Sequence, residues 1–346
     1  MERDRELDNY RALLMAYMVC VIHLFYFFEY GSEPLRSYAL VEMPAVFFIS
    51  GAAHSLSAPK SYGKFLWSKV KRILVPYYIW VVISLLLVQL PWPEEAMHFA
   101  GCTEPVTWSG IADMLLLKEV KCMPYRWHIW FILPFMTIMA LAPWLYARLH
   151  NERAIWTTVV LTGVAILLMD VLRSTTGWDT FFARQCRHVI VYLSFFVLGF
   201  LYKRVALGSI HLWMGLAFTA LLFGLIYTGI YPVSMQQNKF PPDFAFWLFG
   251  HVGLLLLCLF FQRVKLPNWK WLVSYNQRGM TIYLYQNWIY IGLLSLCIAV
   301  GVRFSWINFG WLLLVIFWCL RGSSWVMIKL EDAIIHRLDR IVLKQQ

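Results

Sequence analysis

Charge is scarce in this 346-residue chain, because Asp, Glu, Lys and Arg make up only 14% of the residues while hydrophobic residues make up 60%. So few charged side chains cannot cover a soluble core of this size, and the mean hydropathy of +0.61 agrees. The first apolar segment lacks the small-residue pattern of a cleavage site, and comparable segments recur to the C-terminus, which argues against a secreted protein with a removable signal. The composition therefore predicts a polytopic membrane protein.

Several other features are missing. The seven cysteines show no metal-ligand spacing, and no DNA- or RNA-binding motif accompanies the net charge of +11. There is no internal repeat, no low-complexity tract and no shift in composition along the chain. We therefore expect a single membrane domain over residues 1–346 that uses no metal, no prosthetic group and no nucleic-acid partner. Cys102 and Cys122 share one outer loop, where they either pair in an oxidising compartment or remain thiols.

Ten segments are long and apolar enough to cross about 30 Å of hydrocarbon at about 1.5 Å per residue. Their ranges are 12–28, 39–55, 73–91, 129–147, 154–172, 189–202, 209–230, 244–261, 280–301 and 304–328. Lys and Arg residues are concentrated in every second loop, with 21 of the 30 on that side, and the positive-inside rule assigns these loops to the cytoplasm. The pattern predicts an all-α transmembrane helix bundle of about ten spans in the lipid bilayer, with both termini cytoplasmic.

Arg11 and His23 stand at the two ends of the first apolar run, RALLMAYMVCVIH. An ionisable side chain is costly in hydrocarbon and usually marks a functional site. His23 lies about 18 Å deeper than Arg11, and a histidine with an unperturbed pKa of about 6.5 can accept a proton there. The alternative is a hydrogen-bonded core histidine and an arginine that extends to the interface. Glu42, Asp170 and His251 could likewise line a cavity or simply be packed or interfacial residues.

Six sequence blocks occur in one order along nearly the whole chain: LDNYRALLMAYMVCVIH, MPAVFFISGAAHSL, FLWSKVKRILVPYYIW, RWHIWFILPF, FFVLGFLYKR and MTIYLYQNW. Together they resemble the acyltransferase 3 family of membrane O-acyltransferases. The resemblance implies transfer of an acyl group, most often acetyl, from cytoplasmic acyl-CoA to a hydroxyl of a sugar, glycan or lipid-linked saccharide. It also implies a multi-pass protein of the cytoplasmic membrane.

The resemblance implies a donor side. Ser50 and Gly51 match the family's F-F-x-S-G element, in which glycine lets backbones approach and serine offers a hydroxyl near the thioester. Lys69, Lys71 and Arg72 match its basic stretch ahead of a proline–tyrosine pair, and such cations can neutralise phosphates of coenzyme A. Helix packing by small residues and the positive-inside bias are the alternative explanations of these two elements.

The resemblance also implies an acceptor side. His128 and Trp130 match the family's H-x-W-F element at the outer end of the fourth segment, close to the outer face in the predicted topology. Tyr283 and Gln286 match its Y-L-x-H element, except that glutamine replaces the histidine. An acid or base role at position 286 is therefore in doubt, while hydrogen bonding remains possible.

The first block departs from the family as well, because the family spaces its arginine and histidine eleven positions apart and Arg11 and His23 are twelve apart. At about 100° per residue, eleven positions return to nearly the same helix face, whereas twelve do not. Either a π-bulge restores the facing or the two residues do not act as one pair.

The resulting hypothesis is an O-acyltransferase in which His23 is the general base and Arg11 steadies the donor. The competing hypothesis is a proton-coupled transporter or flippase of a polar metabolite or glycan, with His23 as its proton relay. Transporters often consist of two related halves with broken spans, and we find no such halves. A third reading is a non-catalytic membrane scaffold.

Overall fold

The computed structural model describes residues 4–57, 61–118, 120–205, 207–267, 270, 272, 279–302 and 306–343. Positions 304 and 305, where the tenth predicted segment begins, lie outside the described residues. The helices are α1 (Arg5–Ala16), α2 (His23–Phe27), α3 (Glu42–Ser55), α4 (Tyr62–Leu87), α5 (Glu94–Phe99), α6 (Trp108–Leu115), α7 (Ile132–Arg148), α8 (Glu152–Thr176), α9 (Phe181–Leu198), α10 (Ser209–Tyr227), α11 (Met235–Lys239), α12 (Phe244–Arg263), α13 (Gly279–Ala299) and α14 (Trp306–Leu343). A π-helical segment, Tyr17–Ile22, joins α1 to α2, and 3-10 turns cover Leu35–Ala39, Arg126–Phe131 and Gly199–Leu201.

Nine helices within the described ranges are long and apolar enough to cross a membrane. They overlap nine of the ten predicted segments, so the prediction of an all-α polytopic bundle is confirmed and the chain is an integral membrane protein. The boundaries differ most at α4, which begins at Tyr62 where the prediction began at position 73. The exception is the second segment, whose helix α3 has only 14 residues. Its first residue, Glu42, is buried and ion-paired, so the polar start of this helix is not a lipid-facing end.

The chain divides into two compact units, which interleave along the sequence. Unit 1 consists of Met1–Leu14, Gly31–Lys60 and Leu133–Trp269, and unit 2 consists of Met15–Tyr30, Ser61–Ile132 and Lys270–Gln346. Each unit therefore contains segments that are distant in sequence.

Close helix packing organises unit 1. A Cβ atom on Gly51 of α3 would lie 1.9 Å from the carbonyl oxygen of Phe196, and one on Gly199 would lie 2.1 Å from that of Phe48. Neither glycine tolerates a side chain, because the two backbones are in direct contact. The prediction that Gly51 allows close backbone approach is confirmed.

Polar contacts between distant helices organise unit 2. The Trp288 indole on α13 donates to the Ser84 hydroxyl on α4 at 2.7 Å, and both side chains are buried. The Tyr77 hydroxyl on α4 donates to the carbonyl of Met114 at the end of α6. These bonds join α4, α6 and α13 around the residues described next.

Candidate active site

The π-helical segment directly precedes His23 and changes the hydrogen bonding of its backbone. The His23 N–H donates to the carbonyl of Met18, five residues back, as in a π-helix, instead of to that of Val19. The Val19 carbonyl accepts a hydrogen bond from the Tyr290 hydroxyl on α13, and Tyr290 is fully buried. The π-helical turn frees the Val19 carbonyl from the usual helical bond, and the Tyr290 hydroxyl satisfies this carbonyl instead.

A π turn contains one residue more than an α turn, so this segment takes up the extra residue in the twelve-residue spacing between Arg11 and His23. Of the two alternatives raised by the sequence, the π irregularity is present. Arg11 belongs to unit 1, where its guanidinium lies 3.7 Å from the Asp8 carboxylate. A joint role for Arg11 and His23 stays a prediction.

Gln286 contacts the His23 side chain directly, with 2.6 Å between its Oε1 atom and the Nδ1 atom of the imidazole. The Gln286 amide nitrogen donates to the Tyr283 carbonyl at 2.7 Å, which fixes the orientation of the amide. Because Oε1 can only accept, Nδ1 of His23 must carry a proton, and in the neutral ring Nε2 then carries the lone pair. The arrangement therefore selects the tautomer in which Nε2 can act as a base.

Aromatic rings form the immediate surroundings of His23. The Phe27 ring stacks on the imidazole with centroids 5.0 Å apart, and the Tyr283 ring lies at 5.7 Å. Tyr125 in turn stacks on Phe27 at 4.5 Å, and burial raises the pKa of its phenol so that it remains a neutral donor. Rings on these sides restrict water near the imidazole and strengthen electrostatic interactions there.

His128 lies in the same cluster. Its Nδ1 atom is 2.8 Å from the Tyr125 carbonyl, and its own carbonyl accepts a hydrogen bond from the Tyr283 hydroxyl. Tyr283 therefore contacts both histidines. The ring of His128 also meets Trp80 edge-on, with centroids 5.6 Å apart. The sequence placed His128 near the outer face, and the structure brings it against a residue that also packs on His23.

The Nε2 atom of His128 is buried and has no hydrogen-bond partner among the described residues. Since Nδ1 donates to a carbonyl, Nε2 carries a lone pair in the neutral ring, and a buried acceptor of this kind normally has a donor. Tyr125, the residue just before the 3-10 turn that contains His128, has a φ of 49°, an unfavourable left-handed conformation for a bulky residue. Such strain is typical of backbone that serves a functional site.

A further layer of bonds holds this cluster in place. The Asn287 side chain accepts from the Trp80 indole at 3.3 Å and donates to the Pro124 carbonyl at 3.2 Å. Trp130 is buried on the same 3-10 turn as His128. Of the residues predicted to act at the acceptor side, all four thus occur in unit 2: His128, Trp130, Tyr283 and Gln286.

The predicted donor residues are more scattered. Lys71 on α4 is ion-paired with Asp339 at 2.8 Å, and Trp67 donates to the same carboxylate. The Lys69 ammonium lies over the Phe65 ring at 5.1 Å. Arg72 is exposed and lies eight residues, or about 12 Å along α4, from Trp80 in the histidine cluster.

Ser50 belongs to unit 1 and donates its hydroxyl proton to the Val46 carbonyl of its own helix at 2.8 Å. It keeps only acceptor capacity for a ligand. Among the residues that the structure describes, no group of three or more His, Cys, Asp or Glu side chains could hold a metal ion.

Sequence reasoning missed Tyr290, Tyr125, Trp80 and Asn287. Tyr290 follows Gln286 by four positions, which places both on one face of α13 and was a readable signal. Tyr125 and Trp80 gave no signal, because their roles depend on tertiary contacts and on a left-handed backbone conformation.

Comparison with known proteins identifies the family of this chain. A family model described as an acyltransferase domain matches residues 4–328, which include every residue of the histidine cluster. Searches of curated proteins and of solved structures found no match. Because the matched range covers nearly the whole chain, the predicted resemblance is confirmed: the chain belongs to the acyltransferase 3 family and is a membrane-embedded acyltransferase.

Proposed function

We propose that this protein is an O-acyltransferase of the cytoplasmic membrane. It transfers an acyl group, most simply acetyl, from cytoplasmic acyl-CoA to a hydroxyl of a sugar, glycan or lipid-linked saccharide. The family supports acyl transfer in general, and the polar groups of the histidine cluster support a hydroxyl acceptor. O-acetylation of a polysaccharide is the simplest reaction of this type.

The observation that carries the proposal is the chain of bonds from the Tyr283 carbonyl through Gln286 to His23. It supports a role for His23 as general base, because Nε2 carries the lone pair. In the reaction, Nε2 removes the proton from the acceptor hydroxyl while its oxygen attacks the thioester carbonyl. The carbon–sulfur bond then breaks, and the coenzyme A thiolate takes the proton from the imidazolium. A positioned base of this kind typically contributes about 10² to 10⁴-fold to the rate.

Gln286 is the positioning residue of this mechanism. Histidine occurs at this place in the family element, and the glutamine supports the same function by hydrogen bonding alone. It holds the imidazole with Nδ1 protonated and stabilises the imidazolium once Nε2 has taken the proton. The reaction therefore needs no second titrating group at position 286.

The donor interacts with cations at the cytoplasmic end of α4. Arg72 is the strongest candidate there, because it is exposed and its planar guanidinium suits phosphate. Lys69 provides further positive charge, and Lys71 takes part once phosphate competes with Asp339. Arg11 and Ser50 assist the donor, as the family resemblance implies.

The acceptor is bound by the groups around His128. Its buried Nε2 lone pair accepts a hydrogen bond from a sugar hydroxyl, which satisfies an atom that has no partner among the described residues. Trp130 and Tyr283 offer aromatic rings for the apolar face of a sugar. A hydroxyl held in this way lies close to His23, because Tyr283 packs on both histidines.

The experiment uses the purified protein in lipid vesicles with acetyl-CoA and a panel of glycans and lipid-linked saccharides. We expect release of coenzyme A that depends on the acceptor, and a product heavier by one acetyl group in mass spectrometry. If the acceptor crosses the vesicle membrane without acyl-CoA and no acylated product forms, the result would instead support transport. Absence of both with every acceptor and acyl-CoA tested would contradict the proposed function.

A further inference from the structure

The outer loop of unit 2 contains two chain segments that run antiparallel beside the histidine cluster. The Tyr125 N–H donates to the Ala100 carbonyl at 2.9 Å, and the Thr103 N–H donates to the Lys121 carbonyl at 3.0 Å. The Arg126 guanidinium adds a bond to the Gly101 carbonyl at 2.6 Å. Segment 100–103 is therefore fastened to segment 121–126 at three points.

The hydrogen bond between Thr103 and Lys121 brings two cysteines near each other, because Cys102 precedes Thr103 and Cys122 follows Lys121. Between the two backbone bonds, the segment from Lys121 to Tyr125 has one residue more than the segment from Ala100 to Thr103, so the pairing is irregular. A disulfide bond needs a Cα separation of about 4.4 to 6.8 Å, and neighbouring positions on two paired segments favour such a separation.

Both cysteines are thiols in the structure. Burial raises the pKa of the Cys102 thiol to about 12, and the neighbouring Cys122 thiol adds to this rise. A protonated thiol is a poor nucleophile, so oxidation is slow once the loop has closed. A bond between them therefore forms most readily while the loop is still open, during insertion into the membrane.

We propose that Cys102 and Cys122 form a structural disulfide bond that clamps the segment carrying Tyr125 and His128. The oxidant is the disulfide bond of a thiol–disulfide oxidoreductase. It takes two electrons and two protons from the two thiols and is reduced to a dithiol, while a sulfur–sulfur bond forms between Cys102 and Cys122. The proposal rests on the outer placement of this loop. Lys69, Lys71 and Arg72 lie in the first half of α4, which by the positive-inside rule puts the start of α4 in the cytoplasm and the loop after α4 outside. Its consequence for acyl transfer also rests on the proposed function.

The disulfide bond would stabilise the turn that contains Tyr125 and His128. Tyr125 adopts its left-handed conformation three residues after Cys122, and its carbonyl holds Nδ1 of His128. Such a conformation persists only when surrounding contacts enforce it. A covalent link next to the bond from Tyr125 to Ala100 reduces the freedom of the unfolded loop and keeps the turn in place.

The first test needs no variant. Native membranes that contain the wild-type protein are dissolved in a denaturant that unfolds it. The sample is then treated with a thiol-alkylating reagent, with and without prior reduction. We expect all but two of the seven cysteines to react before reduction, and peptide mass spectrometry to find Cys102 linked to Cys122. Reaction of both cysteines without reduction overturns the proposal. Labelling is independent of catalysis, so this result stands even if no acyl transfer is found.

The second test uses Cys102→Ser, Cys122→Ser and the double variant, with Cys186→Ser in unit 1 as the control. If the two sulfurs form one bond, each single variant and the double variant have the same lowered unfolding temperature and the same several-fold loss of acyl transfer. The control matches the wild type. Effects of the two single variants that add up in the double variant contradict a bond and indicate separate packing roles.

Discussion

Two buried polar networks, one in each unit, differ in their charge. In unit 1 the Lys239 ammonium and the Glu42 carboxylate are 2.7 Å apart, and the two side chains are 5% and 2% exposed. In unit 2 the one hydrogen bond between His23 and Gln286 joins an imidazole to an uncharged amide, and His128 adds a second imidazole. A buried charge must keep its partner, whereas a neutral imidazole can accept a proton and return it.

The comparison distinguishes polar groups that stabilise the fold from polar groups that can take part in a reaction. An ion pair at full burial contributes to the fold only as a pair, because either ion alone is strongly unfavourable in the interior. The histidine cluster instead leaves two ring nitrogens with lone pairs, one on each histidine. We therefore expect substitutions in the first network to reduce stability, and substitutions in the second to reduce the rate while the protein remains folded.

The largest effect on stability is expected for Lys239→Met. This change leaves the Glu42 carboxylate buried without its cation, which costs about 3 to 5 kcal/mol of unfolding free energy. Thermal unfolding and abundance in the membrane measure it. The double variant Lys239→Met with Glu42→Leu should recover most of the loss. Lys203→Met, in an exposed pair, is the matched control, and a Lys239→Met protein as stable as this control contradicts the expectation.

Substitution of Gln286 tests the other network. Gln286→Ala removes the bond that fixes the His23 tautomer, so kcat should fall by about tenfold, a part of the 10² to 10⁴-fold that a general base contributes. Gln286→His, which restores the residue of the family element, should retain more activity than the alanine variant. Unfolding temperature should stay near that of Gln262→Ala, an exposed control. Equal activity of wild type and Gln286→Ala would remove Gln286 from the mechanism.

A smaller effect is expected at the donor cations. Arg72→Ala should raise the KM for acyl-CoA several-fold and leave kcat nearly unchanged, because an exposed cation contributes to binding alone. Lys71→Ala should instead lower stability slightly, since Asp339 loses its cation and keeps only the bond from Trp67. Steady-state kinetics at varied acyl-CoA separates the two. A fall in kcat without a change in KM for Arg72→Ala contradicts the donor role.

A further effect concerns pH and unit 1. Burial raises the pKa of Asp243, the N-cap of α12, to about 8. The folded protein therefore binds this proton more tightly than the unfolded chain, whose carboxyl has a pKa of 3.8. Stability from this group is present at low pH and is lost as pH rises toward 8. Asp243→Asn should flatten the decline of unfolding temperature between pH 5 and pH 8, and an unchanged slope would exclude Asp243 as its cause.

Much of the fold was readable from the sequence, because segment length and hydropathy alone decide which stretches can cross a bilayer. Helix α3 was the exception. The hydropathy of residues 39–55 predicted a full span. The helix is shorter, because it begins at Glu42, which is buried against Lys239, a residue 197 positions away. No local pattern signals such a pair.

The candidate site was readable only in part. The residues His128, Tyr283 and Gln286 were identified through the family elements, and hydrogen bonding was the role left open for Gln286. Its bond to His23 joins residues 263 positions apart, so their contact depends on tertiary structure. The π-helical segment was one of two alternatives, and the hydroxyl that bonds its Val19 carbonyl belongs to Tyr290, 271 positions away.

His23 is the proposed base of the acyl transfer, and the turnover of His23→Ala in lipid vesicles tests this role. We expect acceptor-dependent release of coenzyme A to fall by at least about 10²-fold in this variant. Unfolding temperature and abundance should match those of His150→Ala, an exposed control that keeps wild-type turnover. Turnover of His23→Ala within a few fold of this control would contradict the claim.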